Sequence, residues 1–276
     1  SLSSILSIFF TLRTEYPIII STDKSNFDTF YSILITLSIF MVTTIFFTIF
    51  LFLKESFLGI SFNFFLITML IAFCLSLIKI FQSYLVSKKR FGHISISKVL
   101  QVISILISQL ILFKLNIDKP LILGFLLGLL FNTSYLIYLF IKTAIFYNVT
   151  KLINNLGMYI FKFKKIIGIG SVSDIINNTA SNMLPALIIL SFSKEVAGYY
   201  FFANRVLSVP LQLISSSSAS VYFQRASEYF NKKDILSLKK LTIKLQLWNG
   251  LVMLCGIIII GLFLDDILHI FFGDKW

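Results

Sequence analysis

Of the 276 residues, 57% are hydrophobic and only 13% charged, with a mean hydropathy of +0.92, about half the charge of an ordinary soluble domain. The net charge of +12 does not indicate nucleic acid, because the lysines and arginines sit beside apolar runs instead of along one amphipathic face. Placed there they mark the cytoplasmic side of a membrane and favour anionic lipid.

A membrane-spanning helix needs about 20 mostly apolar residues. Residues 1–12 read as the last part of one such helix, ending at Arg13 on the cytoplasmic side. No basic leader or small-residue cleavage site precedes them, so they do not read as a signal peptide. Complete spans follow at 29–53, 58–85, 97–115, 120–141, 166–192, 196–223 and 243–264. The runs are continuous and do not alternate, which indicates helices and not a barrel. The ends of the chain read as cuts, so the whole is expected to be an internal piece of a longer protein.

Basic residues fall in every second loop. Lys88, Lys89 and Arg90 follow one span; Lys142, Lys151, Lys162, Lys164 and Lys165 come two spans later; Arg225, Lys232, Lys233, Lys239, Lys240 and Lys244 come two after that. The alternation fixes the sides of roughly seven full crossings. The stretch 143–165 mixes Leu152, Leu156, Tyr159 and Phe163 with its lysines and is expected to lie on the inner leaflet as an amphipathic helix. It divides the chain into two transmembrane lobes, 1–142 and 166–276. The Asn148-Val-Thr triplet has the glycosylation pattern but falls in a cytoplasmic loop. Cys74 and Cys255 lie in apolar runs and read as small buried hydrophobes.

Charged and polar residues inside spans are functional candidates, because each costs several kcal/mol unless it faces protein or water. Lys79 lies near the cytoplasmic end of its helix and is expected to snorkel to the headgroups. Gln101, Gln109 and Asn132 are expected to make interhelical hydrogen bonds. Two neighbouring spans are richer. In 166–192, Ser171, Asp174, Asn178, Ser181 or Asn182, and Pro185 recur every three or four residues, with Asn177 beside them. In 196–223, Arg205, Ser208, Gln212 and Ser215 or Ser216 recur likewise beside Asn204, and Pro210 is expected to kink the helix. At about 1.5 Å per residue, Asp174 lies about 12 Å from the cytoplasmic end of its span and Arg205 about 14 Å from the outer end of the next. Across a core about 30 Å thick the two differ in height by a few ångströms. Arg205 is therefore placed to pair with Asp174 or to reach past it to an anionic ligand.

An enzyme site is not indicated. His93 and His269 fall on opposite sides of the membrane, which disfavours a metal site. Gly168 and Gly170 read as close helix packing, and the short outer loops leave no room for an external catalytic domain.

The run Asn178-Thr-Ala-Ser-Asn-Met-Leu-Pro-Ala-Leu, continued by Ser193-Lys-Glu-Val-Ala-Gly-Tyr-Tyr-Phe-Phe-Ala-Asn-Arg-Val-Leu-Ser-Val-Pro-Leu-Gln, resembles Wzx-type polysaccharide (O-antigen or capsule) flippases of the MOP exporter superfamily. So do Arg13-Thr-Glu-Tyr-Pro, Lys88-Lys-Arg-Phe-Gly, Val221-Tyr-Phe-Gln-Arg-Ala-Ser-Glu and Phe272-Gly-Asp-Lys-Trp. The resemblance implies an all-α, two-lobe bundle around a central cavity in the bacterial cytoplasmic (inner) membrane. Alternating access would carry an undecaprenyl-pyrophosphate-linked oligosaccharide outward, beside other polysaccharide assembly proteins. It implies no cofactor beyond a coupling cation, H+ or Na+. Arg205, with Asn204, Ser208, Gln212, Asn177, Asn178 and Asn182, would line the cavity. Asp174 would couple the ion, and Pro185 and Pro210 would serve as kinks. A drug or cation exporter of the same superfamily is the nearest rival; a membrane polymerase or acyltransferase would need a long outer loop.

Overall fold

A computed structural model describes residues 2–21, 25–53, 62–143, 149–192 and 194–272. Its described elements are helical: α1 (Leu2–Thr11), α2 (Glu15–Ile20), α3 (Ser25–Leu53), α4 (Phe62–Ser87), α5 (Phe91–Lys114), α6 (Pro120–Thr143), α7 (Val149–Lys162), a π-helical turn (Ile166–Gly170), α8 (Ser171–Ser191), α9 (Lys194–Asn231) and α10 (Ile235–Phe272). No strand occurs among the described residues. Four described helical stretches, 26–48, 64–87, 91–114 and 120–143, are long and apolar enough to cross a membrane. The chain is thus an all-α bundle with the character of a membrane protein. It forms two compact units, Ser1–Ala203 and Asn204–Trp276.

In the first unit α4 is the central helix: 56% of its span is buried, against 11% for α5. Ile71, Ile78, Phe81, Tyr84 and Leu85 of α4 meet Leu129, Leu136 and Phe140 of α6 and Ile18 of α2 in the main core. Phe140 holds it together, with the rings of Phe30, Phe81 and Tyr84 at 5.3, 5.4 and 4.9 Å. A second cluster joins α1, α3 and α4 through Phe10, Met69 and Ala72, with Phe40 stacked on Phe73 at 4.4 Å. By contrast, α5 leaves Val99, Leu106, Leu110 and Phe113 exposed, as a helix bathed in lipid would.

Many hydroxyls in these helices are satisfied locally, although the buried Thr36 hydroxyl of α3 has no hydrogen-bond partner. Ser38, Thr43 and Thr44 of α3 donate to the carbonyls of Leu34, Ile39 and Phe40, one turn back, at 2.8 Å. That is how a hydroxyl is tolerated where water is absent. Between α5 and α6, Ser97 donates to Asn132 at 3.0 Å, Asn132 to Gln101 at 3.4 Å, and Gln109 to the Leu121 carbonyl at 3.0 Å. The three interhelical residues expected from the sequence therefore do make such bonds. Cys74 is buried, as expected, whereas Cys255 is exposed.

The α5–α6 contact also depends on a pair of glycines four residues apart, a spacing that lets backbones approach. A Cβ on Gly124 would lie 2.7 Å from the Gln109 Cα, and one on Gly128 would lie 2.6 Å from the Ile105 Cα. Backbone cannot yield as a side-chain tip can. Gly168, expected from the sequence to pack closely, has open space instead.

In the second unit α9 continues helically through Pro210 to Asn231. Tyr222 of α9 and Thr242 of α10 share a hydrogen bond of 3.1 Å. Asp234 accepts from the Ser237 N–H at 3.0 Å and so caps α10. Bonds from the Ser237 hydroxyl and N–H hold the Asp234 carboxyl below its ordinary range.

Gly128→Val should lower the melting temperature of the detergent-solubilised protein, at a cost of about 1–3 kcal/mol from overpacking. Gly92→Ala, where a Cβ meets nothing within 4 Å, should leave it nearly unchanged. Equal melting of Gly128→Val and wild type would contradict backbone contact between α5 and α6.

Candidate functional site: an ion pair between α1 and α8

The site starts with the way α1 ends. Leu12 and Arg13 both take positive φ, 44° and 57°, a region that costs a non-glycine residue free energy and persists only when its surroundings impose it. Here the imposition is visible. The Leu12 N–H still reaches the Ile8 carbonyl at 2.9 Å, the Thr14 N–H and hydroxyl both return to the Thr11 carbonyl at 2.9 and 2.7 Å, and Ser32 of α3 clamps the Thr14 carbonyl at 3.0 Å. Helix α2 then restarts, with Pro17 in its first turn, where a missing N–H leaves no bond unmade. The result is a tight corner that throws the Arg13 side chain sideways out of the helix line.

Arg13 lands on Asp174 of α8. Its Nε donates to Oδ2 and its Nη2 to Oδ1, the latter at 2.5 Å. This is the bidentate fork that makes arginine, and not lysine, the partner of choice for a carboxylate. Two further contacts fix the guanidinium. Its carbon sits 4.8 Å from the centre of the Tyr16 ring, within cation–π range. Gly170 leaves the space for its stem: a Cβ there would lie 2.9 Å from Arg13 Cδ and 3.0 Å from Nη1. The π-helical turn ending at Gly170 sets the rotation of α8, and Ser171 donates back to the Ile167 carbonyl at 2.5 Å. Such turns cluster at functional sites.

Behind the pair lies a second charged layer. Lys79 of α4 donates to the Ser7 hydroxyl of α1 at 3.0 Å, and Ser76 donates to the Ser7 carbonyl at 3.2 Å. Lys79 therefore does not snorkel to the headgroups as expected. It turns inward to the Ser7 hydroxyl of α1. Glu15 sits opposite, and its Oε2 is buried without a hydrogen-bond partner. It lies on α2, outside the spanning helices. Burial pushes its carboxyl above the ordinary range and Asp174 adds to this, while its own N–H, Lys79 and Thr11 pull the other way. Burial likewise raises the Tyr16 phenol.

The residues expected from sequence distribute unevenly. Asp174 is at the centre of the site, with Arg13 as its partner. On α8, Ser173, Asn177 and Ser181 share one helical face and are exposed, as are the apolar Val172, Ile176, Met183 and Leu187 of the same helix, whereas Asn178 is half-buried. Asn204 is exposed in the second unit. The side chains of Asn182, Pro185, Arg205, Ser208, Pro210 and Gln212 lie outside the described residues. Among the described residues no group of three or more His, Cys, Asp or Glu is placed to hold a metal.

Sequence reasoning missed Arg13, Glu15 and Tyr16 as site residues. Their signal was there: two opposite charges within three residues, between apolar runs and directly before a proline. Helix α7 is amphipathic as expected, but its inner face meets protein. Tyr159 lies 4.9 Å from Tyr31 of α3, and burial raises its phenol.

No family model, no curated protein and no solved structure matches the chain.

Asp174→Asn and Arg13→Ala should each lower the melting temperature, at a cost of about 2 kcal/mol for a charged hydrogen bond. The cost stays below that of a fully buried pair because the side chains are 28% and 26% exposed. Arg13→Lys should fall between, keeping the charge but losing the fork. Unchanged melting of Asp174→Asn would show that the pair does not hold α8.

Proposed function

We propose that this chain belongs to a transporter that moves a lipid-linked anionic oligosaccharide across the bacterial cytoplasmic membrane by alternating access. The observation that carries the reading is the open polar face of α8, where Ser173, Asn177 and Ser181 stand exposed on a helix anchored to α1 by the Arg13–Asp174 pair. In a membrane protein a polar face must meet water or a polar ligand, since lipid cannot satisfy it. A water-filled path bordered by α8 answers that demand.

The resemblance of 178–190, 193–214 and 221–228 to Wzx-type flippases supplies the substrate class, an undecaprenyl-pyrophosphate-linked glycan. In that reading α1 belongs to the first lobe and α8 to the second, with 143–165 joining them. The Arg13–Asp174 pair then ties one lobe to the other. Its strength suits a reversible tie: pairing two partly buried charges yields little net free energy, yet leaving one unpaired costs more. Arg205, five residues beyond Tyr200 on the following helix, serves as the anchor for pyrophosphate or an acidic sugar.

The test is genetic and biochemical. Loss of the full gene should abolish surface polysaccharide without changing drug sensitivity; altered drug sensitivity with normal polysaccharide would favour a drug exporter. Arg205→Ala should stop glycan export while the protein still inserts, and Arg205→Lys should restore it only in part. Normal export by Arg205→Ala would remove Arg205 from the mechanism.

A further inference from the structure

Four ionisable side chains converge where α1, α2, α4 and α8 meet, and they are not equally served. Arg13 and Asp174 satisfy each other with a two-bond fork. Lys79 gives its hydrogen bond to the Ser7 hydroxyl at 3.0 Å. Glu15 keeps a buried Oε2 with no partner. An ionised carboxylate has about four acceptor sites to fill and is expensive to leave bare in a low-dielectric interior. A neutral carboxyl makes a smaller demand. That a lysine ammonium close enough to influence Glu15 is bonded to a serine instead is the arrangement expected beside a neutral carboxyl.

We infer that Glu15 is a proton-binding site coupled to the Arg13–Asp174 pair. Its carboxyl holds a proton while Asp174 occupies Arg13, and releases that proton to water when the pair opens and leaves Arg13 as its counter-ion. One O–H bond breaks at Glu15 and the proton passes to water; closure reverses the exchange. The inference deepens the transport reading above, on which it rests for the claim that the pair opens, and it makes the coupling ion a proton held at Glu15 in place of an ion held at Asp174.

The surroundings have the sign this requires. Burial opposes the ionised form most and Asp174 of α8 adds to this, while the Glu15 N–H, Lys79 of α4 and the Thr11 hydroxyl favour it. Arg13 and Tyr16, beside it in the chain, feel the charge of Glu15, and Tyr159 of α7 is influenced by both Glu15 and Asp28 of α3. Opening the pair removes the negative charge of Asp174, frees the guanidinium and admits water, three changes that each favour ionisation. By linkage, a carboxyl raised in the closed state stabilises that state at low pH relative to the open one. The advantage fades as pH rises from the ordinary carboxylate range through the raised value.

The experiment is infrared spectroscopy of the purified protein in proteoliposomes, following the C=O stretch of protonated carboxyl groups against pH. The wild type should show a component that titrates above the ordinary carboxylate range and is absent from Glu15→Gln. In Asp174→Asn the midpoint of that component should shift downward, because the repelling charge is gone and Arg13 is free. A component that persists in Glu15→Gln, a midpoint at or below the ordinary range, or a midpoint unmoved by Asp174→Asn would overturn the inference. Should Glu15→Gln fail to fold, the comparison of wild type with Asp174→Asn still decides. None of these readouts depends on glycan export, so a failed transport reading would leave the band intact, and a missing band would leave the export result intact.

Discussion

A charge near a bilayer must be paired or wet, and in this chain that constraint is met by one guanidinium reaching one carboxylate. The Arg13–Asp174 fork joins residues 161 positions apart and brings α8 onto α1. The surrounding features serve it. The left-handed corner at Leu12 and Arg13 aims the side chain, the ring of Tyr16 covers it, and Gly170 with the π-helical turn clears its path. Take away any of these and the corner retains its strain without its compensation.

Two kinds of contact divide the first unit between them. The α4–α6 core and the α5–α6 glycine contact are apolar, close-packed and costly to disturb even by a methyl group. The α1–α8 joint is polar, with partners that water could replace if it entered. Burial makes the first kind permanent; solvation makes the second exchangeable. A transporter of the kind proposed, which must hold shape and also pass through two arrangements, would need both, and here they lie on opposite sides of α4: α6 on one, α1 with Ser7 and the corner at Arg13 on the other.

Much of this was legible in the sequence, for identifiable reasons. Continuous apolar runs of about 20 residues admit only helices in a bilayer, so α3 to α6 could be read directly, as could the hydrogen bonds of Gln101, Gln109 and Asn132. The three-to-four-residue period marked the α8 face and Asp174 on it. What periodicity cannot supply is the partner across space. Asp174 was placed beside Arg205 because neighbouring helices were the only geometry available, whereas Arg13 reaches it from the far end of the chain. The inward turn of Lys79 depends on how α4 is rotated, which its nearly uniform apolarity left open. The four-residue spacing of Gly124 and Gly128 is a readable signal of close helix approach, whereas of Gly168 and Gly170, Gly170 faces a side chain and Gly168 nothing.

The account stands on the claim that the Arg13–Asp174 pair is a joint with two states and not a fixed brace. Spin labels at Phe9→Cys on α1 and Ser173→Cys on α8, both exposed positions, with Cys74 and Cys255 replaced by alanine, would report the distance across it in lipid. The account predicts two distances, the shorter dominant at low pH and depleted by Asp174→Asn. A single distance, unchanged by pH and by that substitution, would contradict it.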